Sequence, residues 1–285
     1  MGETVSFTDT EHNICVTSRL VEEDRLYWVA IGGPPLVAIR LAKAVRAPKI
    51  AYVVEDGTIA PEPPGDLPVF MLGGSASAYR AVAWTDMNTI GLHAALGYMD
   101  YGILAAVQVD EFGNFNSSYV GGTYDRPQRR FGGPGGANEI ASMCWRTILM
   151  TKLQRRKFVR KLDFMSSPGF LDGSPGARGR AGLPPDCGPY RVITEDAMFG
   201  FDGETRRMTL IGLSPWSTVE SVRAKMEFEP LVADRIETVL PPTEEELAVL
   251  RSQVDVSGRT ISRGEWLHYD PATGELRREG KGADE

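Results

Sequence analysis

Three cysteines (Cys15, Cys144, Cys187) and three histidines (His12, His93, His268) are all that 285 residues hold, with no Cys-x-x-Cys spacing and no histidine cluster. A disulfide framework and a His/Cys metal centre both lack their usual signals, so no metal is expected. Cys15 and Cys144 lie in apolar stretches and read as inert core thiols. A Ser-His-Asp or Cys-His nucleophile gains little support, since no Gly-x-Ser-x-Gly elbow occurs and His12 and His268 sit in peripheral segments. Positive charge is also short: 31 Lys and Arg face 38 Asp and Glu, a net −7, which argues against a binder of nucleic acid or of anionic membranes. No apolar run approaches the ~18 residues of a membrane span. Met1–Ser6 has neither the basic nor the apolar region of a secretion signal, so a cytoplasmic protein is the expectation.

What is present is ample core material, at 42% hydrophobic residues, with 31 Gly and 19 Pro punctuating loops. Residues 10–20 read as a helix and 25–31 as a strand. Gly32-Gly-Pro-Pro35 then breaks the chain, Ala38, Leu41, Ala42 and Val45 recur at helical spacing, and 49–55 resumes an apolar strand. This is a βαβ unit, whose right-handed crossover makes its strands parallel. The Gly32–Pro35 loop and Glu55 thus fall at the carboxyl edge, where open α/β sheets bind ligands. A Pro-rich stretch over 60–67 precedes a helical segment over 76–98 with a polar break at 86–88. Residues 102–109 and 114–120 read as strands, and 137–150 as one apolar helix opened by Phe131-Gly-Gly-Pro-Gly-Gly136. Further strands are expected near 190–194, 197–201 and 207–213, the last two joined by an Asp202-Gly-Glu-Thr hairpin. Ser217–Glu220 and Thr243–Glu246 fit the capping box, and 266–274 suggests one more hairpin in the charged tail.

The 131–138 segment is neither a dinucleotide fingerprint, lacking the last glycine of G-x-G-x-x-G, nor a P-loop, lacking Gly-Lys-Ser/Thr. It offers closely approachable backbone N–H groups suited to a carboxylate, a phosphate or the oxyanion of acyl transfer. Glu55 alone reads as a solvated turn residue before Asp56-Gly57. Taken together, Gly32-Gly-Pro-Pro, Glu55-Asp-Gly, Gln108-Val-Asp-Glu-Phe-Gly-Asn-Phe-Asn-Ser and Gly132-Gly-Pro-Gly-Gly-Ala-Asn resemble, in order and spacing, the β subunits of class I CoA-transferases of the glutaconate CoA-transferase kind. The likeness continues through Lys161–Gly173 and Gly182–Pro189 and spans roughly residues 10–257. One departure is Asp56 where the family has Ser or Asn, which bears on the hydrogen bonding that holds Glu55.

The resemblance implies an α/β fold with a mainly parallel open sheet and flanking helices, of the CoA-transferase type. It implies a β-subunit-like domain over 1–257 and a polar extension over 258–285 that is dispensable for exchange. It also implies a homologous α subunit, in a heterodimer or α2β2-type heteromer, with the active site at their interface. Coenzyme A is then a substrate, with no permanently bound cofactor. Glu55 is the nucleophile, Gly135 and Gly136 supply backbone donors, and Gly32, Gly33, Gln108, Asn138, Arg126, Arg129 and Arg130 are candidates for binding substrate or CoA. The Arg155-Arg-Lys157 run has a poorer claim. The reaction is CoA transfer between an acyl-CoA and a small, dicarboxylic-type acid through a glutamyl-CoA thioester. Alternatives on the same scaffold are an acyl-CoA or ring-opening hydrolase, a decarboxylase and a noncatalytic partner subunit. The related steroid-ring hydrolases lack the turn glutamate, so its retention favours transfer.

Overall fold

The computed structural model describes residues 4–30, 32–62 and 78–279. Ile31, most of the Pro-rich stretch, Ala76 and the last six residues of the tail lie outside them. Among the described residues the main sheet has ten strands, in spatial order Leu231–Thr238, Met208–Leu213, Ala197–Phe201, Gly188–Ile193, Arg146–Met150, Tyr101–Ala105, Leu26–Val29, Ala51–Val54, Thr58–Ile59 and Ala83–Trp84. The five from Gly188–Ile193 to Ala51–Val54 are parallel to one another. Antiparallel strands flank this centre on both sides, with one further parallel pair at the Leu231–Thr238 edge. The sheet is open, with helices packed on its faces.

Side-chain alternation builds the layers. Tyr27 and Val29 turn to one face, against Ile14, Cys15, Ala38 and Leu41 of the Asp9–Arg19 and Gly33–Val45 helices. Trp28 turns to the other, against Ile90 and Ala94 of Met87–Ala95 and Ile140 and Ala141 of Ala137–Met143. The helix after Gly32-Gly33 begins with prolines in its first turn, where the missing N–H has no intrahelical role. Cys15 and Cys144 are fully buried, one in each layer, and burial pushes both thiols up, consistent with inert core residues.

Several elements differ from their sequence reading: 102–109 divides into Tyr101–Ala105 of the main sheet and Gln108–Val109 of a separate two-stranded sheet, and 114–120 into Phe115–Asn116 and Tyr119–Gly122. The apolar stretch 137–150 is a helix only to Met143. Cys144 is extended, and Arg146–Met150 is a central strand paired on both edges. A strand covered on both faces is apolar throughout, so it is indistinguishable by periodicity from the buried helix before it. Among the described residues of 76–98 only Met87–Ala95 is helical, and Ala83–Trp84 forms the edge strand. The cap at the start of Val219–Ala224 is also displaced by one: Thr218 pairs with Ser221, whereas Thr243 and Glu246 pair as expected.

The tail is joined to the opposite end of the chain. Trp266–Tyr269 pairs antiparallel with Val5–Thr8 and with Leu276–Glu279, making a separate three-stranded sheet. Leu267 is fully buried with Phe7, Leu247 and Tyr269, and Arg278 reaches Asp196 at 2.6 Å. Truncation after Ser257 is therefore expected to destabilise the protein and not leave it intact. Re-exposing two such side chains costs about 1.5–3 kcal/mol each. Thermal unfolding should show a midpoint about 10 °C lower.

Candidate active site

Glu55 directly follows the Ala51–Val54 strand, and its N–H extends the parallel pairing by donating to Val29 O at 3.1 Å. The chain then turns sharply. Gly57 N–H donates to Val54 O at 2.9 Å, and Thr58 N–H donates to Asp56 Oδ1 at 2.9 Å. The carboxylate of Asp56 thus closes the turn as a serine or asparagine side chain does. Gly57 has φ +97°, and a Cβ there would lie 2.7 Å from the Thr85 backbone, so only glycine fits.

The Phe131–Gly136 loop comes down on this turn. Gly136 N–H donates to Glu55 Oε1 at 2.5 Å, across 81 residues of sequence. A Cβ on Gly135, where φ is +52°, would lie 2.4 Å from the same oxygen, and one on Gly136 would lie 3.0 Å from Glu55 Cγ. The glycines are what let backbone approach the carboxylate. Glu55 is left 9% exposed at the carboxyl edge of the parallel strands.

The other motifs hold that loop in place. Phe131 N–H donates to Ser118 O and Gly133 N–H to Ser117 O, at 2.9 and 3.0 Å. Ser117 N–H in turn donates to Ser166 Oγ, and Asn138 Nδ2 donates to Ser166 O at 2.8 Å. Asn114 Oδ1 accepts from Gly169 N–H and Leu171 N–H. Three stretches singled out separately in the sequence, 114–118, 131–138 and 161–173, are therefore one knitted unit.

Gln108 is buried in that unit. Its Oε1 accepts from Asn116 Nδ2 at 2.8 Å and its Nε2 donates to Asp163 Oδ2 at 2.8 Å, which makes it a brace for the 108–116 hairpin. Gly32 and Gly33 both have positive φ at the carboxyl end of the Leu26–Val29 strand, with open space beside Gly32. Arg126, Arg129 and Arg130 are exposed on the Tyr119–Gly122/Pro127–Arg130 hairpin. Arg130 lies 4.8 Å over the Tyr124 ring and donates to Tyr124 O, while Arg129 lies over Phe131. Among the described residues no group of three or more His, Cys, Asp or Glu is placed to hold a metal ion, and no helix is long and apolar enough to cross a membrane.

Residues 78–225 match the family described as Coenzyme A transferase. The chain belongs to that family. Within the coenzyme A transferase family it is similar to the B subunit of glutaconate CoA-transferase from Acidaminococcus fermentans, at 32% identity over 267 residues covering 90% of this chain and 95% of the relative. It is 30% identical to the B subunit of 3-oxoadipate CoA-transferase from Pseudomonas knackmussii, covering 87% and 93%. The crystal structure of glutaconate coenzyme A-transferase from Acidaminococcus fermentans superposes with a TM-score of 0.81 at 29% identity, covering 90% of this chain and 97% of that one. The chain is thus matched nearly end to end by B subunits of this transferase family, and the sheet has the architecture of that fold.

Proposed function

We propose that this chain, paired with a homologous α subunit, moves CoA between an acyl-CoA and a small carboxylic acid of the dicarboxylic class, with Glu55 as the nucleophile. The observation that carries the reading is the Glu55 carboxylate at the carboxyl edge, held by the Gly136 N–H. One Glu55 oxygen attacks the thioester carbon, the C–S bond breaks, and CoA thiolate leaves an acyl-glutamyl anhydride. The thiolate then attacks the Glu55 carbonyl carbon, releasing the first acid and leaving CoA on Glu55 as a thioester. The acceptor acid runs the two steps in reverse. A carboxylate nucleophile needs no general base, which fits a site without histidine. Whenever the attacked carbon is that of Glu55, negative charge develops on its own oxygen, where the Gly136 N–H lies; one such donor contributes ~10²–10³ in rate.

An exposed apolar face supports the α partner. Val82, Trp84, Leu92, Leu96 and Tyr98 are all solvent-exposed around the edge strand and the Met87–Ala95 helix, and Val82 is 81% exposed. This face adjoins the Glu55 turn through Thr85, whose N–H donates to Gly57 O. Coenzyme A is a substrate in this scheme, and a cytoplasmic setting accords with three unpaired cysteines.

The test is the intermediate. Incubating the complex with acyl-CoA and no acceptor should add one CoA less one water to this chain. The adduct should map to the peptide holding Val54-Glu55-Asp56 and be removed by hydroxylamine. Full-rate consumption of acyl-CoA with solvent oxygen in the product and no adduct would replace transfer with hydrolysis.

A further inference from the structure

Val107, Val120, Arg129, Phe131, Arg156 and Lys157 line a cavity of about 230 Å³. Its apolar walls carry three cations and no carboxylate, in a chain whose net charge is −7. The cations come from separate places. Arg129 belongs to the Pro127–Arg130 strand, whereas Arg156 and Lys157 lie in the turn that follows the central Arg146–Met150 strand.

Lys157 is the most enclosed of the three. Thr151 Oγ1 lies 3.4 Å from its Nζ, and no ion pair holds it among the described residues. Glu195 and Asp9 favour its charge from a distance, but Asp9 is committed to Lys152 at 2.6 Å. Burial holds the ammonium below the usual lysine range. A half-buried cation with only a hydroxyl within reach of its Nζ is partly desolvated and uncompensated, and an anion entering the cavity relieves that cost. Arg156 uses Nε on Gln154 Oε1 at 3.0 Å, and Arg129 lies 5.0 Å over the Phe131 ring. Both keep further N–H groups for an oxyanion.

The cavity shares a loop with the nucleophile. Phe131, one wall of it, is five residues from Gly136, whose N–H holds Glu55, so the two ends are at most about 18 Å apart.

We propose that this cavity is an anion subsite, in which Arg129, Arg156 and Lys157 take an oxyanion of the acyl-CoA: a phosphate of CoA or the distal carboxylate of its acyl group. The proposal rests on the CoA-transfer reading and specifies how that site holds its substrate. Arg126 and Arg130, grouped with Arg129 in the sequence, do not line the cavity. Two of its cations come instead from the 155–157 run.

The test uses the purified complex carrying Glu55→Ala, which binds without turnover. It is titrated calorimetrically with adenosine 3′,5′-bisphosphate and, separately, with glutarate, then again with Arg156→Gln and Lys157→Met added. One anion should bind and weaken roughly tenfold or more per cation neutralised, the loss expected of a charged hydrogen bond, and Lys157→Arg should recover most of the affinity. Weakening confined to the bisphosphate assigns the cavity to a CoA phosphate, and weakening confined to glutarate assigns it to the acyl carboxylate. Unchanged affinities in folded, assembled variants overturn the subsite, as does failure of both anions to bind the parent. The adduct experiment on the unmodified chain judges the transfer reading separately, because covalent capture at saturating acyl-CoA does not need the three cations.

Discussion

A complex carrying Glu55→Ala is expected to assemble and melt as the parent does, yet exchange CoA slower by a factor on the order of 10⁴ or more. The side chain caps a strand end and contributes little apolar area to the core. Its carboxylate accepts from the Gly136 N–H, in a loop already fixed by the backbone of Ser117 and Ser118. On the proposed mechanism, removing it takes away the nucleophile and leaves the frame. Differential scanning fluorimetry and an acyl-CoA exchange assay on the same preparation separate the two effects. Substantial turnover by a correctly assembled Glu55→Ala complex would take Glu55 out of the mechanism.

Gly135→Ala should also be damaging, though less so, through geometry alone. Its φ of +52° is costly for a residue with a Cβ, by roughly 1–2 kcal/mol, and the added carbon would stand 2.4 Å from Glu55 Oε1. The carboxylate cannot stay where it is, and a misplacement of about 1 Å costs on the order of 10²-fold in rate. The expected result is a kcat lower by about 10²–10³ with a melting temperature within a few degrees of the parent. A kcat within threefold of the parent would mean that the loop does not set the position of Glu55.

These two residues also show where the sequence is readable and where it is not. The βαβ unit is legible because Gly32-Gly-Pro-Pro and Pro48 punctuate it and its helix repeats at 3–4 residues, which places Glu55 at the correct edge of the sheet. Nothing in periodicity connects Glu55 to Gly136. That pairing is visible in the sequence only through a family resemblance, and its physical basis, glycine admitting backbone to a carboxylate, arises only when the loop folds onto the turn. Arg146–Met150 is hidden for a different reason: a strand buried on both faces follows a buried helix with only Cys144 and Trp145 between them. The same ambiguity conceals Lys157. With the preceding strand taken as helix, the 155–157 run has no fixed position and looks like a solvated basic turn. The charged tail reads as an appendage because its few apolar residues, Leu267 and Tyr269 among them, find their partners near the amino terminus.

The pairing of Val5–Thr8 with Trp266–Tyr269 has a consequence for the order in which the molecule is completed. During synthesis the Val5–Thr8 strand has no strand partner until Trp266–Tyr269 has left the ribosome. The parallel centre of the sheet, by contrast, is assembled once Gly188–Ile193 has emerged. The small sheet that unites the two ends is therefore a late closure of high sequence separation, slow for the entropic reason that all distant contacts are slow. Until it closes, Phe7 lacks the cover of Leu267 and Tyr269, making the amino-terminal strand the segment that a chaperone or protease would meet last in its open form.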